Sequence, residues 1–170
     1  MKRSPMNILP VLLVWSALGA LVCGCQTTQP GRVPVPVSEI ENIMDSFHRA
    51  ASEADYDGYV GRLTPDGIFL GTDPTERWTR DELGGFCRPY FDQGTGWTYR
   101  PVERHVASQG DVAWVDEILE NEKYGLCRGT AVLVREGPDL GIAHYSLTFL
   151  VPNDASAGVV AAIQAASQAR

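Results

Sequence analysis

His105 and Asp116 are the residues of this chain whose types and spacing point most directly to chemistry. A two-residue hairpin turn at Gly110-Asp111 sets Gln109 opposite Val112 and, counting outward, His105 opposite Asp116. Side-chain alternation then puts Trp97, Tyr99, Glu103 and His105 on the same side as Trp114, Asp116 and Ile118. Aromatic walls around an imidazole and two carboxylates are how a pocket for a small organic ligand tends to be lined. Asp116 would orient and charge the imidazole, or act as base itself where Trp97 and Trp114 desolvate it. Such a pair could abstract a proton next to a carbonyl, with Tyr99 or Tyr59 donating a hydrogen bond to the enolate oxygen. The plainer role for His105 and Asp116 is a cross-strand salt bridge that contributes little beyond positioning. The opposite side of the hairpin carries Arg100, Val102, Arg104 and Val106 beside Ala113, Val115, Glu117 and Leu119, which reads as a partly exposed face of Arg and Glu pairs.

Other chemistry-bearing residues have simpler readings. Trp78, in Glu76-Arg77-Trp78, is placed to cover a pocket, while Glu76 and Arg77 either contact a polar ligand or pair with each other and with Arg80 or Asp81. Asp73 before Pro74 suits the first position of a type I turn. His144 and Tyr145 are successive strand residues, so one of them faces inward. His48 adjoins an apolar helical stripe and reads as a boundary residue, and Arg128 and Arg135 as edge or solvent charges. Cys87 and Cys127 either pair, if the compartment is oxidising, or serve as small buried hydrophobes. A bridge between them would close a loop of about 40 residues, for roughly 4 kcal/mol by loop entropy. The chain has no CxxC, HExxH or His-rich cluster, so neither a metal site nor a cofactor is expected.

The elements that must position these residues follow from periodicity. Ser38 and Glu41 form a potential capping box, followed by Ile40, Ile43, Met44, Phe47, Ala51 and Ala54 at helical spacing, which predicts a helix over 39–54. A short helix through Tyr56, Tyr59, Val60 and Leu63 precedes a turn at Thr64-Pro65-Asp66-Gly67 and a strand Ile68-Phe69-Leu70. Thr79 and Glu82 form a second box ahead of Leu83, Phe86, Cys87, Tyr90 and Phe91, with Pro89 expected to kink or shorten that helix. From Gly96 the period becomes two, predicting strands over 97–107, 112–120, 124–135 and 140–151. Helices followed by an antiparallel meander imply an α+β fold in which a curved sheet wraps over helices. An Ala-rich tail with Val159, Val160 and Ile163 is expected to dock as a last, weaker helix.

The N-terminus speaks to location. Lys2 and Arg3 precede an apolar run of about 15 residues, short of the roughly 20 that cross a hydrocarbon core, so a secretory signal over 1–24 is expected. Val22-Cys23-Gly24-Cys25 resembles the lipobox of bacterial lipoproteins, which implies that Cys25 takes the lipid and becomes the mature N-terminus. Several acyl chains on one cysteine anchor stably. Gln26 is not the Asp that resembles an inner-membrane retention signal, so the expected place is the cell envelope, on the outer membrane facing the periplasm. A Pro- and Thr-rich tether over 25–37 then leads to one domain over 38–154 and the tail 155–170. The net charge of −7 and a pI near 4.9 argue against nucleic acid as a partner.

The run Phe69-Leu70-Gly71-Thr72-Asp73-Pro74-Thr75-Glu76-Arg77-Trp78-Thr79 resembles a segment of bacterial SnoaL-like proteins of the nuclear transport factor 2-like superfamily. So do Gly96-Trp97-Thr98-Tyr99-Arg100-Pro101 with Arg104-His105-Val106, then 111–117 and 123–130. The resemblance implies a cone, in which a strongly bent, cystatin-like sheet encloses a pocket against the helices and pairs with a second copy through its outer face. It does not imply a reaction, since the superfamily holds isomerases, cyclases and dehydratases beside members that only bind or assemble. No motif here matches a characterised catalytic set residue for residue. The expected job is therefore binding a small apolar or amphiphilic ligand or a partner protein. The alternatives are a cofactor-independent isomerase, cyclase or lyase using His105 and Asp116, and a structural dimeric module.

Overall fold

The computed structural model describes residues 33–169. The expected signal over 1–24, Cys25 and most of the expected tether lie outside the described residues. The chain runs α1 (Val37–Glu53), α2 (Tyr56–Val60), β1 (Leu63–Leu70), β2 (Arg77–Thr79), α3 (Arg80–Phe91), β3 (Arg100–Gln109), β4 (Val112–Asn121), β5 (Gly125–Glu136), β6 (Asp139–Phe149), a 3-10 turn (Asn153–Ala155) and α4 (Ser156–Gln168). The strands form one sheet in the order β2-β1-β6-β5-β4-β3. β3 to β6 are the antiparallel meander, and β1 lies parallel to β6. The result is the α+β architecture expected, a curved sheet over the helices.

α1 begins two residues earlier than the Ser38/Glu41 box requires. Pro36, in extended conformation, occupies the cap, and its carbonyl accepts from the N–H groups of Glu39 and Ile40, so no side-chain cap forms. The proline's preset φ starts the helix and leaves Ser38 inside the first turn. Ile40, Met44, Phe47, His48, Ala50 and Ala51 make the buried stripe. The helix stops at Ala54, whose φ of 55° is left-handed, and the Asp55 N–H closes on the Ala50 carbonyl at 2.9 Å.

The turn expected at Thr64–Gly67 survives as an irregularity inside β1, between the pairing of Leu63 with Ile142 and that of Ile68 with His144. Asp73 and Pro74 turn the chain, with the Glu76 N–H on the Asp73 carbonyl at 2.9 Å. The short β2, not anticipated, then folds back so that Trp78 lies opposite Phe69. The Thr79–Glu82 box forms in both directions and starts α3. Pro89 sits in its last turn, two residues before the end, so α3 loses the N–H that would bond the Gly85 carbonyl and stops at Phe91. Leu83, Cys87 and Phe91 are buried, while Phe86 and Tyr90 stay partly exposed.

The core lies between α1, α3 and the concave face of the sheet, with Ile40, Met44, Phe47, Leu83, Leu119 and Leu133 among its fully buried side chains. Val35, assigned to the tether, is also buried, and its carbonyl accepts from the Ser108 hydroxyl at 2.8 Å. α4 forms but does not dock: every one of its residues is exposed, including Val159, Val160 and Ile163. Alanine propensity is enough for the helix, and three apolar side chains are too narrow a stripe to hold it on the domain.

Candidate functional site

The concave side of the sheet and the helices enclose a cavity of about 180 Å³. Phe47 and His48 reach it from α1, Tyr59 from α2, Phe69 and Tyr145 from the parallel strands, and Trp78 from β2. Trp97 and Tyr99, just ahead of β3, complete one wall. The rings brace one another. Tyr59 stacks on Phe47 with centroids 4.6 Å apart, Phe69 on Tyr145 at 5.3 Å and Trp78 on Phe86 at 4.5 Å. Such ring pairs hold the walls beyond what burial alone contributes. The cavity opens past Phe86, Trp97, Tyr99 and Tyr124 into a groove beside the β4–β5 turn.

Behind one wall of this aromatic space lies a hydrogen-bonded network of ionisable side chains, of which His48 lines the cavity. His48 Nε2 lies 2.5 Å from Glu117 Oε1. Glu117 Oε2 accepts from Arg104 Nε at 2.9 Å, and Arg104 Nη1 donates to Asp45 Oδ1 at 2.7 Å. The Tyr145 hydroxyl approaches the same Glu117 Oε1 at 3.5 Å, a long contact. The chain Asp45–Arg104–Glu117–His48 therefore runs from an exposed carboxylate to a cavity wall, through a glutamate that is 1% exposed. Asp45 and His48 are one turn apart on α1, and Arg104 and Glu117 are directly opposite on β3 and β4. A buried carboxylate is tolerable only when its oxygens are matched this way. Burial pulls the Arg104 guanidinium down, but its hydrogen bonds and charge contacts with Asp45 and Glu117 outweigh that and hold it above its usual value. Arg104 Nη2 has no hydrogen-bond partner among the described residues.

Burial pushes the Tyr59 and Tyr145 hydroxyls far above the ordinary phenol range, so both present neutral O–H groups at neutral pH. Tyr99 is shifted the same way for the same first cause. Gly129 leaves the room these groups occupy. A Cβ there would sit 2.4 Å from the Tyr145 hydroxyl and 2.9 Å from Glu117 Oε1. No group of three His, Cys, Asp or Glu side chains is placed to hold a metal ion among the described residues.

The structure divides the residues expected from sequence. Tyr59, Trp78, Trp97 and Tyr99 come together around the cavity. His105 and Asp116 are register partners, as the hairpin count required, but on the outer face: both are exposed, and His105 Nε2 bonds Glu103 Oε1 at 2.8 Å. Glu103 and Trp114 also point outward. The two faces of the hairpin are thus reversed from the expectation, and the physical reason is a bulge. Pro101 pairs with Leu119 and Glu103 with Ile118, so two steps on β3 meet one on β4 and the alternation inverts between Tyr99 and Arg104. Arg104 and Glu117, read as a solvent pair, are inside.

His48 corrects in the same direction, from boundary residue to cavity wall. Its position beside Phe47 on the α1 stripe was the available signal, as was the lone Glu117 between Val115 and Leu119. Tyr145 is the inward member of the His144-Tyr145 pair. Arg135 pairs with Glu39 at 2.5 Å instead of standing free in solvent. Cys87 and Cys127 are unbridged and fully buried, and burial pushes the Cys87 thiol up to about 12.

Residues 40–152, more than half of the chain, match the SnoaL-like domain family, and the protein belongs to that family. Among solved structures it resembles an NTF2-like protein of unknown function from Pseudomonas putida, with 15% identity over 68% of this chain and 87% of that one and a TM-score of 0.59. It also resembles a cystatin-like protein of unknown function from Nostoc punctiforme, with 14% identity over 68% and 91% of the two chains and a TM-score of 0.56. A proposed dehydratase of the NTF2-like family from Streptomyces avermitilis shares 16% identity over 68% and 96%, with a TM-score of 0.56. At these identities the likeness is one of fold. No curated protein matches the sequence.

Proposed function

We propose that this domain binds a neutral, predominantly apolar molecule about one ring in size, and that lipidated Cys25 holds it at the cell envelope, on the outer membrane facing the periplasm. The observation that carries the reading is the cavity itself: about 180 Å³ of aromatic-walled space with few polar side chains in its lining, His48 and Glu76 among them. A dry apolar cavity of about 150 Å³ is enough for benzene, which sets the size class of the occupant. The aromatic walls supply the apolar contact, and His48 with the tyrosine hydroxyls supplies the few polar groups that would orient a ligand.

The membrane attachment rests on the resemblance of Val22-Cys23-Gly24-Cys25 to a lipobox. Among the described residues no helix is long and apolar enough to cross a membrane. Pairing of two copies through the outer sheet face, where Val102, Val112, Trp114 and Val132 are exposed, is part of the same proposal.

A native mass spectrum of the protein starting at Gln29 and expressed in the periplasm tests the binding. A retained extra mass, displaced by benzene and lost in Tyr59→Ala, is expected. A cavity that takes up neither a cellular compound nor benzene would sink the reading. Labelling with a palmitate analogue tests the anchor, with incorporation expected in the wild type and abolished in Cys25→Ala.

A further inference from the structure

The two ends of the sheet differ in what holds them. Val35 is buried, and its carbonyl accepts from the hydroxyl of Ser108, the penultimate residue of β3. Val33 lines a surface depression together with Asp111, Arg135 and Gly137. Arg135 also pairs with Glu39 in the first turn of α1. The chain arriving from the N-terminus is therefore pinned from Val33 onward, at the end of the sheet where the β3–β4 and β5–β6 turns lie. The mouth of the cavity is at the other end. Its groove is lined by Arg100, which opens β3, Asn121, which closes β4, and Gly125, which opens β5.

Exposed apolar side chains gather around that mouth, among them Phe86, Tyr90, Tyr124, Leu126 and Phe149. By composition alone such a patch fits a lipid surface. The length of the tether argues against it. About eight residues separate Cys25 from Val33, and fully extended they span at most about 29 Å. β5 runs from the mouth to the pinned end, and its 12 residues cover roughly 40 Å at 3.3 Å each. For the mouth to face the lipid, the pinned end would have to stand about that far above it, beyond the tether's reach. We propose that the anchored domain holds the mouth of its cavity away from the bilayer and takes its apolar ligand from the aqueous periplasm, not from the membrane. This rests on the proposed anchor at Cys25 and on the cavity being a ligand site.

The test uses the full-length lipidated protein in phospholipid vesicles that carry nitroxide on their headgroups. Cys87 and Cys127 are buried, so a thiol-reactive fluorophore reports from an introduced surface cysteine. Glu136→Cys marks the pinned end and Glu122→Cys the mouth, and both positions are exposed. The label at Glu136→Cys is expected to lose fluorescence, and the label at Glu122→Cys to keep it. Equal quenching at both positions, or at neither, in protein that floats with the vesicles overturns the orientation and leaves the anchor standing. Protein that does not float overturns the anchor and this inference with it. For the source of the ligand, benzene added to the water should shift tryptophan emission. A phospholipid whose acyl chain ends in a phenyl ring, placed in nitroxide-free vesicles, should not. Uptake of that lipid-borne ring overturns the aqueous source. Entry of neither overturns the ligand site and leaves the orientation to the quenching.

Discussion

Two neighbouring rungs of the β3–β4 ladder carry nearly the same chemistry and live in opposite worlds. His105 faces Asp116, and one residue earlier Arg104 faces Glu117. The first pair is exposed on the outer face, and its imidazole turns to Glu103. The second is inside, where Glu117 has both oxygens engaged and reaches His48 across from α1. In water a carboxylate beside a cation is screened and adds little. In the interior the same carboxylate must have partners, and its partners become fixed in space. What separates a candidate site from surface decoration here is the side of the sheet, not the residue types.

The sharpest way to break this comparison is to remove one carboxylate from each rung. Glu117→Gln leaves the half-buried Arg104 with only the exposed Asp45 as a charged partner and should cost about 3–5 kcal/mol of unfolding free energy. Asp116→Asn should stay within about 0.5 kcal/mol, as surface substitutions do. Urea melts of the two variants decide it, and equal effects would mean that the two faces are not energetically distinct. Next in size is Gly129→Ala, whose methyl would meet the Tyr145 hydroxyl and Glu117 Oε1. It should cost about 1–3 kcal/mol as overpacking does, and weaken binding of benzene in the cavity.

A smaller effect probes a device that belongs to neither face. Thr79→Ala removes the α3 cap and should lower stability by about 1 kcal/mol in a thermal melt at neutral pH. The backbone N–H of Thr79, and then its hydroxyl, hold the Glu82 carboxyl below its usual value. A depressed carboxyl stabilises the fold above its unfolded pKa and stops doing so as pH falls through the folded one. The gap between wild type and Thr79→Ala should therefore narrow in acid, and a constant gap would remove Glu82 from the cap.

The interior leaves one further mark, in reactivity alone. Cys87 and Cys127 are buried, and burial raises both thiols. Neither should react with iodoacetamide in the native protein starting at Gln29, and both should react after denaturation without reductant. A denatured protein with no reactive thiol would show that the two cysteines pair.

Much of the fold was legible because it is written in short-range periodicity. The Thr79–Glu82 box, the apolar stripes of α1 and α3 and the period-two strands each depend on residues within a few positions of one another. Misreadings arose where a local pattern met a longer-range decision. Ser38 and Glu41 have the spacing of a box, but Pro36 starts the helix ahead of them. Thr64 to Gly67 have the composition of a turn, yet they are drawn into the line of β1 by pairing on either side. The Ala-rich tail has the propensity of a helix and no surface to hold it.

The sequence by itself determined the order of helices and strands apart from the short β2, the hairpin register that sets His105 against Asp116, and four of the aromatic residues around the cavity. These depend on alternation, capping and turn chemistry, which act within a few residues. Only the tertiary structure decided which face of the hairpin is inside. A bulge between Pro101 and Glu103 shifts the count by one, and with a period of two that single step puts the β3 side chains beyond it on the opposite side from the one counted from Trp97 and Tyr99. It also decided that His48 and Glu117, 69 positions apart, share a hydrogen bond. No local rule relates residues that distant, because their meeting depends on how α1 packs across the curved sheet.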